Sequence, residues 1–159
     1  MPAIDSNDLS IGDVLKDFYA VPDYQREYVW TEDQVEQLLA DIRAEQSDDP
    51  KAEYFVGSIV TCESKGGRFD LIDGQKRMTS LFVILCAFRD RLIELGQDPG
   101  SAVNTLLAAG KIDLSGREIF ALRLDLQYDD AGRIIEGLFK REFVEQPNLT
   151  RSMSNIMTA

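Results

Sequence analysis

The sequence predicts a single α+β domain in which a small β-sheet packs against helices. Three observations indicate this class: a capping box that starts a helix at Thr31, two strands joined by Gly66-Gly67, and a long apolar helix that begins near Met78. The 159 residues are 44% apolar, and a chain of this size buries roughly 70% of its unfolded surface. One domain with a true core is therefore expected.

The N-terminal part of the chain predicts two helices separated by an extended segment. Apolar residues at helical spacing predict a first helix over residues 10–17. Pro22 and four aromatic residues favour an extended segment over residues 19–30. Thr31 is followed three residues later by Gln34, and this pair predicts a capping box that starts the second helix. The apolar stripe of that helix consists of Val35, Leu38, Leu39 and Ile42.

A hairpin and the longest helix are predicted next. β-branched and aromatic residues indicate a strand over residues 54–62, and the glycine pair at 66–67 turns the chain into a second strand over 68–72. A helix over residues 78–95 is apolar on most sides in its first half, and Gly96 is suited to end it. This helix is expected to form the centre of the core.

The C-terminal part predicts one more strand and one more helix. Residues 119–126 alternate as a strand does, and Asp129 or Asp130 then caps a final helix. The domain is expected to span residues 1–147, while 148–159 form either a polar tail or a truncation point before a C-terminal domain. The apolar residues of the final helix are Ile134, Ile135, Leu138 and Phe139.

The sequence contains no histidine. This excludes the commonest general base, Ser-His and Cys-His nucleophile pairs, and zinc sites that use histidine. Any chemistry must therefore use carboxylates, lysine or arginine, a bound metal or the backbone.

Cys62 and Cys86 lie in unrelated contexts with no Cys-x-x-Cys motif, which predicts reduced, buried thiols and a cytoplasmic protein. No segment approaches the ~20 apolar residues of a membrane-spanning helix, so no membrane partner is expected.

The net charge of −11 is distributed unevenly along the chain. Residues 1–50 hold 13 acidic and 3 basic side chains, whereas residues 51–159 hold 15 acidic and 14 basic ones. Nonspecific duplex binding requires lysine and arginine to neutralise phosphates, so this charge speaks against a protein whose whole surface coats DNA. A local anion site in the nearly neutral remainder stays compatible with it.

The first candidate site lies in residues 72–79, where a strand ends and the long helix begins. Such a junction directs unpaired backbone N–H groups and the positive end of the helix dipole at one spot. Lys76 and Arg77 lie at that spot, where the planar fork of Arg77 suits a phosphate and Asp73 suits a magnesium ion or a water. The alternative is that Asp73 or Thr79 only caps the helix and that both cations are solvated.

The second candidate site lies in residues 21–30, where three aromatic residues surround Arg26. Aromatic rings can hold a guanidinium in a defined orientation, which would make Arg26 a second phosphate or base contact. The alternative is that the aromatics are core residues whose polar tips reach the surface and that Arg26 pairs with Glu27 or another neighbour. The three aromatics are Tyr24, Tyr28 and Trp30.

Three motifs occur in a fixed order, and together they are more specific than either candidate site alone. They are Pro22-x-Tyr24-Gln25-Arg26-x-Tyr28-x-Trp30, Tyr54-Phe55-Val56-Gly57-Ser58-Ile59-Val60 and Ile72-Asp73-Gly74-Gln75-Lys76-Arg77-Met78-Thr79-Ser80-Leu81. In order and spacing they resemble the family called domain of unknown function 262, the N-terminal domain of GmrSD-type restriction proteins. The resemblance covers roughly residues 10–145. The hallmark motif of the family is Asp-Gly-Gln-Gln-Arg, and this chain has Lys76 where the family usually has the second glutamine.

This resemblance implies a ParB/sulfiredoxin-like fold, a small mixed β-sheet packed with helices, whose junction between hairpin and helix binds nucleotide phosphates. It implies a regulatory domain of a modification-dependent restriction or anti-phage system that binds, and in some members hydrolyses, nucleoside triphosphates with Mg²⁺. The phosphate-binding residues carried over by position are Gln25, Arg26, Gly74, Gln75, Lys76 and Arg77. The catalytic residues carried over are Asp73, Gln75 and Arg77, and Asp73 is also the expected Mg²⁺ ligand.

The resemblance also implies partners. A C-terminal nuclease domain or a partner subunit is expected, and DNA would be contacted through the full-length protein. The family's nuclease motifs contain histidine, so this chain cannot cut DNA by that route. Two other functions stay open at this point: a DNA-binding or ParB-like nuclease domain, and a noncatalytic interaction module whose acidic N-terminal third binds a basic partner.

Overall fold

The protein, seen in a computed structural model that describes residues 4–25, 30–128 and 130–142, combines helices with a small mixed sheet. The helices of this part are α1 (Ile11–Val14), α2 (Glu32–Asp48), α3 (Gln75–Glu94), α4 (Gly100–Leu107) and α5 (Ala131–Lys140). The strands are β1 (Tyr19–Val21), β2 (Val60–Ser64), β3 (Arg68–Asp73), β4 (Ala108–Ile112), β5 (Glu118–Leu122) and β6 (Leu124–Leu126). The predicted α+β class is confirmed, and the ParB/sulfiredoxin-like assignment remains an inference from the motifs.

The main sheet has four strands in the order β2-β3-β1-β6. The strand β1 pairs in parallel with both neighbours, Tyr19 lying opposite Phe69 of β3 and Leu124 of β6, while β2 runs antiparallel along the edge. The strands β4 and β5 form a separate antiparallel pair. Because β3, β1 and β6 are parallel, their carboxyl ends meet at one edge of the sheet, which is where open sheets with parallel strands bind ligands.

The core lies between the main sheet and α3. Phe82, Val83 and Cys86 of α3 are fully buried, and α3 contacts α4, α5 and β6. Burying one large apolar side chain stabilises the fold by roughly 1.5–3 kcal/mol, so α3 anchors the domain. The buried side chains of the parallel strands are Tyr19, Ala20, Val21, Leu71, Leu124 and Leu126. Among the described residues, no helix is long and apolar enough to cross a membrane.

Several helix predictions are confirmed. The backbone N–H of Thr31 donates to Gln34 Oε1 over 3.0 Å, which completes the capping box of α2. Gly96 follows the end of α3 in the left-handed region, with φ at 71°, and α5 begins directly after Asp130. The first helix is shorter than predicted, because only Ile11–Val14 is helical.

The strand predicted over residues 54–62 is wrong in its first part, because regular pairing begins only at Val60. Gly57 has φ at 113°, which is not a strand conformation, and Arg77 Nη1 donates a hydrogen bond to the carbonyl of Ser58. Residues 54–59 therefore do not pair with β3, and residues 57–59 pack on the start of α3.

The single strand predicted over residues 119–126 is also wrong. The chain forms β5 and β6 here, which belong to different sheets and are separated by Arg123. The sequence pattern did not predict α4 and β4, which occupy the connection between α3 and β5.

The prediction of buried thiols is right for Cys86 and wrong for Cys62. Both cysteines are free; Cys86 lies in the core, whereas Cys62 is exposed on the edge strand β2. Burial raises the pKa of the Cys86 thiol to about 12, because the thiolate would lose its hydration.

Arg123 joins three elements from inside the protein, although it separates two strands. Its side chain is 7% exposed, and its guanidinium lies 4.5 Å from the centre of the Phe18 ring. Nε donates to the carbonyl of Thr105 over 3.1 Å and Nη1 to that of Lys16 over 2.5 Å. These contacts satisfy a buried charge that would otherwise be costly.

Replacing Arg123 with alanine should lower the free energy of unfolding by about 3 kcal/mol, because the carbonyl groups of Thr105 and Lys16 lose a charged donor and Phe18 loses its cationic partner. Urea denaturation measures this change. Arg117→Ala is the matched control, since that side chain is 79% exposed in its ion pair with Asp113 and should cost less than about 1 kcal/mol. Equal losses in the two variants would contradict the role assigned to Arg123.

Candidate phosphate-binding site

A cavity of about 330 Å³ brings the two predicted sites together. Gln25 and the helix start at 73–77 are far apart in the sequence, but they follow β1 and β3, which are adjacent parallel strands. The carboxyl ends of both strands therefore deliver their next residues to the same place. The cavity, called the phosphate pocket below, is lined by Gln25, Trp30, Ile72, Asp73, Gly74, Gln75, Lys76 and Arg77.

The β1 side of the pocket is formed by a turn that follows Val21. The backbone N–H of Gln25 donates to the carbonyl of Pro22 over 3.1 Å, and this bond fixes Gln25 at the pocket. Trp30 packs partly against the core, whereas Tyr24 is 72% exposed. The interpretation of these aromatics as core residues is therefore wrong for Tyr24.

Two residues of the second predicted site, Arg26 and Tyr28, lie outside the described residues. The contact of Arg26 with phosphate stays a prediction. The alternative ion pair between Arg26 and Glu27 falls on the same segment.

The helix side of the pocket depends on Gly74. This residue is buried, has φ at 87° and precedes the first residue of α3. A Cβ atom placed on it would lie 2.6 Å from Ile59 Cγ2 and 3.1 Å from the carbonyl oxygen of Ser58. Glycine is therefore required both by the backbone conformation and by the close packing of residues 58–59.

Asp73 contributes an exposed carboxylate next to this glycine. Its Oδ1 accepts the backbone N–H of Gly74 over 2.8 Å, which holds the carboxylate at the mouth of the pocket. Thr79 is 2% exposed inside the helix, so the alternative in which Thr79 caps the helix is wrong. Asp73 therefore supports the turn at Gly74.

Arg77 lies between the pocket and the segment 57–59. Its Nη1 donates to the carbonyl of Ser58, and a Cβ atom on Gly57 would lie 2.9 Å from Arg77 Cζ. Arg77 therefore fixes the backbone of this segment. A guanidinium has five N–H donors, so one such bond still leaves donors for an anion in the pocket.

Lys76 and Gln75 complete the first turn of α3. Among the described residues, Lys76 Nζ has no hydrogen-bond or ion-pair partner, while the side chain still lines the pocket. Gln75 Nε2 donates to the carbonyl of Ile72 over 3.3 Å, which leaves the amide oxygen of that side chain as an acceptor. The pocket thus combines two cations, one carboxylate and the start of a 20-residue helix.

The metal-binding capacity of the pocket is limited. The described residues hold no group of three or more Cys, Asp or Glu side chains that could coordinate a metal ion. Asp73 is the one carboxylate in the described lining of the pocket. One carboxylate fits Mg²⁺ when the ion takes most of its ligands from phosphates and water.

The segment 57–59 is a part of the site that sequence reasoning missed. It was predicted as strand, but it forms the wall behind Gly74 and Arg77. The signal available in the sequence was Gly57, because a glycine inside an apparent strand often marks a close approach of another backbone or side chain.

Comparison with known families places these features in one group of proteins. A family model described as GmrSD restriction endonuclease, N-terminal domain, matches residues 7–155. The match spans all three sequence motifs and the whole described lining of the phosphate pocket. A search of curated proteins finds no match to the chain.

Gly74→Ala should lower the free energy of unfolding by about 3 kcal/mol, because the new Cβ meets Ile59 and the left-handed conformation itself costs about 1–2 kcal/mol. Gly96→Ala is the matched control: φ is 71° and nothing lies within 4 Å of the new Cβ, so only the conformational cost applies. Urea denaturation of both variants separates the cost of the contact with Ile59 from the cost of the left-handed conformation. A loss at Gly74 no larger than that at Gly96 would show that the packing on Ile59 is not required.

Proposed function

The chain belongs to the GmrSD restriction endonuclease N-terminal domain family, and from this membership we propose that it binds the phosphates of a nucleoside triphosphate. The family associates the chain with restriction and defence proteins. The observation that carries the proposal is the phosphate pocket, in which Gln25 meets the start of α3. We propose further that the domain acts as the regulatory part of a modification-dependent restriction or anti-phage protein.

The charges of the pocket favour an anion. Lys76 and Arg77 add two positive charges, and the unpaired N–H groups at the start of α3 carry the positive end of the helix dipole. Among the described residues Lys76 has no ion-pair partner, so a phosphate would displace none of their carboxylates from it. The departure from the family hallmark, lysine in place of glutamine, therefore adds a charged donor to the site.

Hydrolysis of the bound nucleotide fits the same residues. Phosphoryl transfer depends mainly on positioning and electrostatic stabilisation, and Arg77 supplies a charge beside the phosphates. Asp73 would hold Mg²⁺, which neutralises charge on the phosphates when it is bound. The amide oxygen of Gln75 would orient the attacking water. The assignment of Asp73, Gln75 and Arg77 as catalytic residues belongs to this proposal.

A nuclease acting on DNA would be supplied by another part of the system. The chain contains no histidine, so it lacks the nuclease motifs that the family resemblance implies for the C-terminal domain. Nucleotide binding in this domain would then control a nuclease domain or subunit that contacts DNA.

Lys76→Gln should weaken the binding of Mg²⁺-tripolyphosphate about tenfold, because it removes one charged donor and introduces the glutamine that the family usually has at this position. Isothermal titration calorimetry measures the dissociation constant. Lys65→Gln is the matched control, since Lys65 is an exposed lysine of the turn between β2 and β3, and its binding constant should not change.

Two results would contradict this site. Absence of binding of both tripolyphosphate and nucleoside triphosphates to the wild-type chain would refute the proposed function. Equally weakened binding of tripolyphosphate in Lys76→Gln and Lys65→Gln would show that binding depends on the net charge of the protein and not on the pocket.

A further inference from the structure

A second and larger cavity, of about 720 Å³, lies on the other side of Arg77. Its walls come from the N-terminal residues 8–14, from Ile42 and Gln46 of α2, from the segment 52–59 and from the start of α3. Its volume falls within the roughly 300–1,000 Å³ of sites that bind small organic ligands. None of the sequence motifs predicted this cavity.

The second cavity and the phosphate pocket share one lining side chain. Arg77 lines both cavities, and Gly57, which has no side chain, lies directly against the Arg77 guanidinium. Arg77 is therefore the side chain beside which a ligand with one end at Lys76 would extend into the second cavity.

The balance of charged lining residues differs between the two cavities: cations predominate in the phosphate pocket, whereas carboxylates predominate in the second cavity. Its charged lining residues are Asp8, Glu53 and Arg77, so two carboxylates face one cation and a second phosphate group is disfavoured. The rest of the lining is mostly apolar and includes Met78 and Leu81. Such a lining suits a flat, weakly polar group with N–H donors.

Phe55 is the aromatic residue best placed for such a group. It lines the cavity, and its side chain is 78% exposed. Base stacking on an exposed aromatic ring strengthens binding about tenfold. Phe55 therefore offers a stacking surface that the free protein leaves open to solvent.

We infer that the second cavity binds the nucleoside end of a nucleoside triphosphate, with the base against Phe55 and its N–H donors directed at the Glu53 carboxylate. This inference rests on the proposed function, since it places the phosphates of the same ligand in the phosphate pocket. The cavity would thus select nucleotides over inorganic polyphosphates and set the preference among bases.

The test compares ligands that share the phosphates and differ in the nucleoside. Dissociation constants of the Mg²⁺ complexes of tripolyphosphate, ATP, GTP, CTP and UTP are measured by calorimetry on the wild-type chain. We expect at least one nucleotide to bind ten times or more tightly than tripolyphosphate. Tripolyphosphate binding with no nucleotide binding more tightly would overturn this inference and leave the proposed function standing, whereas no binding of any of the five would refute the proposed function itself.

Two variants test whether the tighter binding of nucleotides comes from the second cavity. Phe55→Ala and Glu53→Gln should each reduce the nucleotide advantage at least fivefold and leave tripolyphosphate binding unchanged. Phe88→Ala and Glu63→Gln are matched controls, because both residues are exposed and line neither cavity. A nucleotide advantage that persists in both cavity variants, with circular dichroism confirming that they are folded, would place the base elsewhere and overturn the inference.

Discussion

The hydrogen bond from the Arg77 guanidinium to the carbonyl of Ser58 is the contact on which the proposed site depends. It holds the irregular segment 57–59 against the start of α3, where Gly74 packs on Ile59 with no room for a side chain. Without this contact the helix would still begin after β3, but the wall behind its first turn would be missing. Arg77 thus both fixes this segment and lines the two cavities.

The parallel strands β1 and β3 set the second constraint. Their pairing places the turn at Gln25 beside the start of α3, so two motifs separated by about fifty residues form one pocket. Arg123 supports this arrangement from a distance, since it joins the connection before β1 to α4 and β6. The strands β1 and β6 have only three residues each, so contacts such as those of Arg123 support their position in the sheet beside the backbone pairing.

Local signals in the sequence predicted the elements that depend on local interactions. Three predictions of this kind are confirmed, because each rests on a short-range backbone preference. They are the capping box at Thr31, the turn at the glycine pair 66–67 and the helix end at Gly96. The strand prediction at residues 54–59 failed because a contact from Arg77, nineteen residues away, overrides local propensity. The break between β5 and β6 at Arg123 was missed for the same reason. The alternating pattern continues through this residue, but the buried Arg123 side chain binds the carbonyls of Lys16 and Thr105, which are distant in the sequence. The residues of the phosphate pocket were predicted from motifs, but its second cavity arises from four separated segments and no local pattern indicates it.

A crystal structure of the chain with Mg²⁺ and a non-hydrolysable nucleoside triphosphate analogue tests the central claim most directly. The account predicts the phosphates within hydrogen-bond distance of Lys76 Nζ and of the backbone N–H groups at the start of α3, with Asp73 beside the metal. Phosphates bound away from this helix start, or a pocket that stays without ligand at saturating concentration, would contradict it.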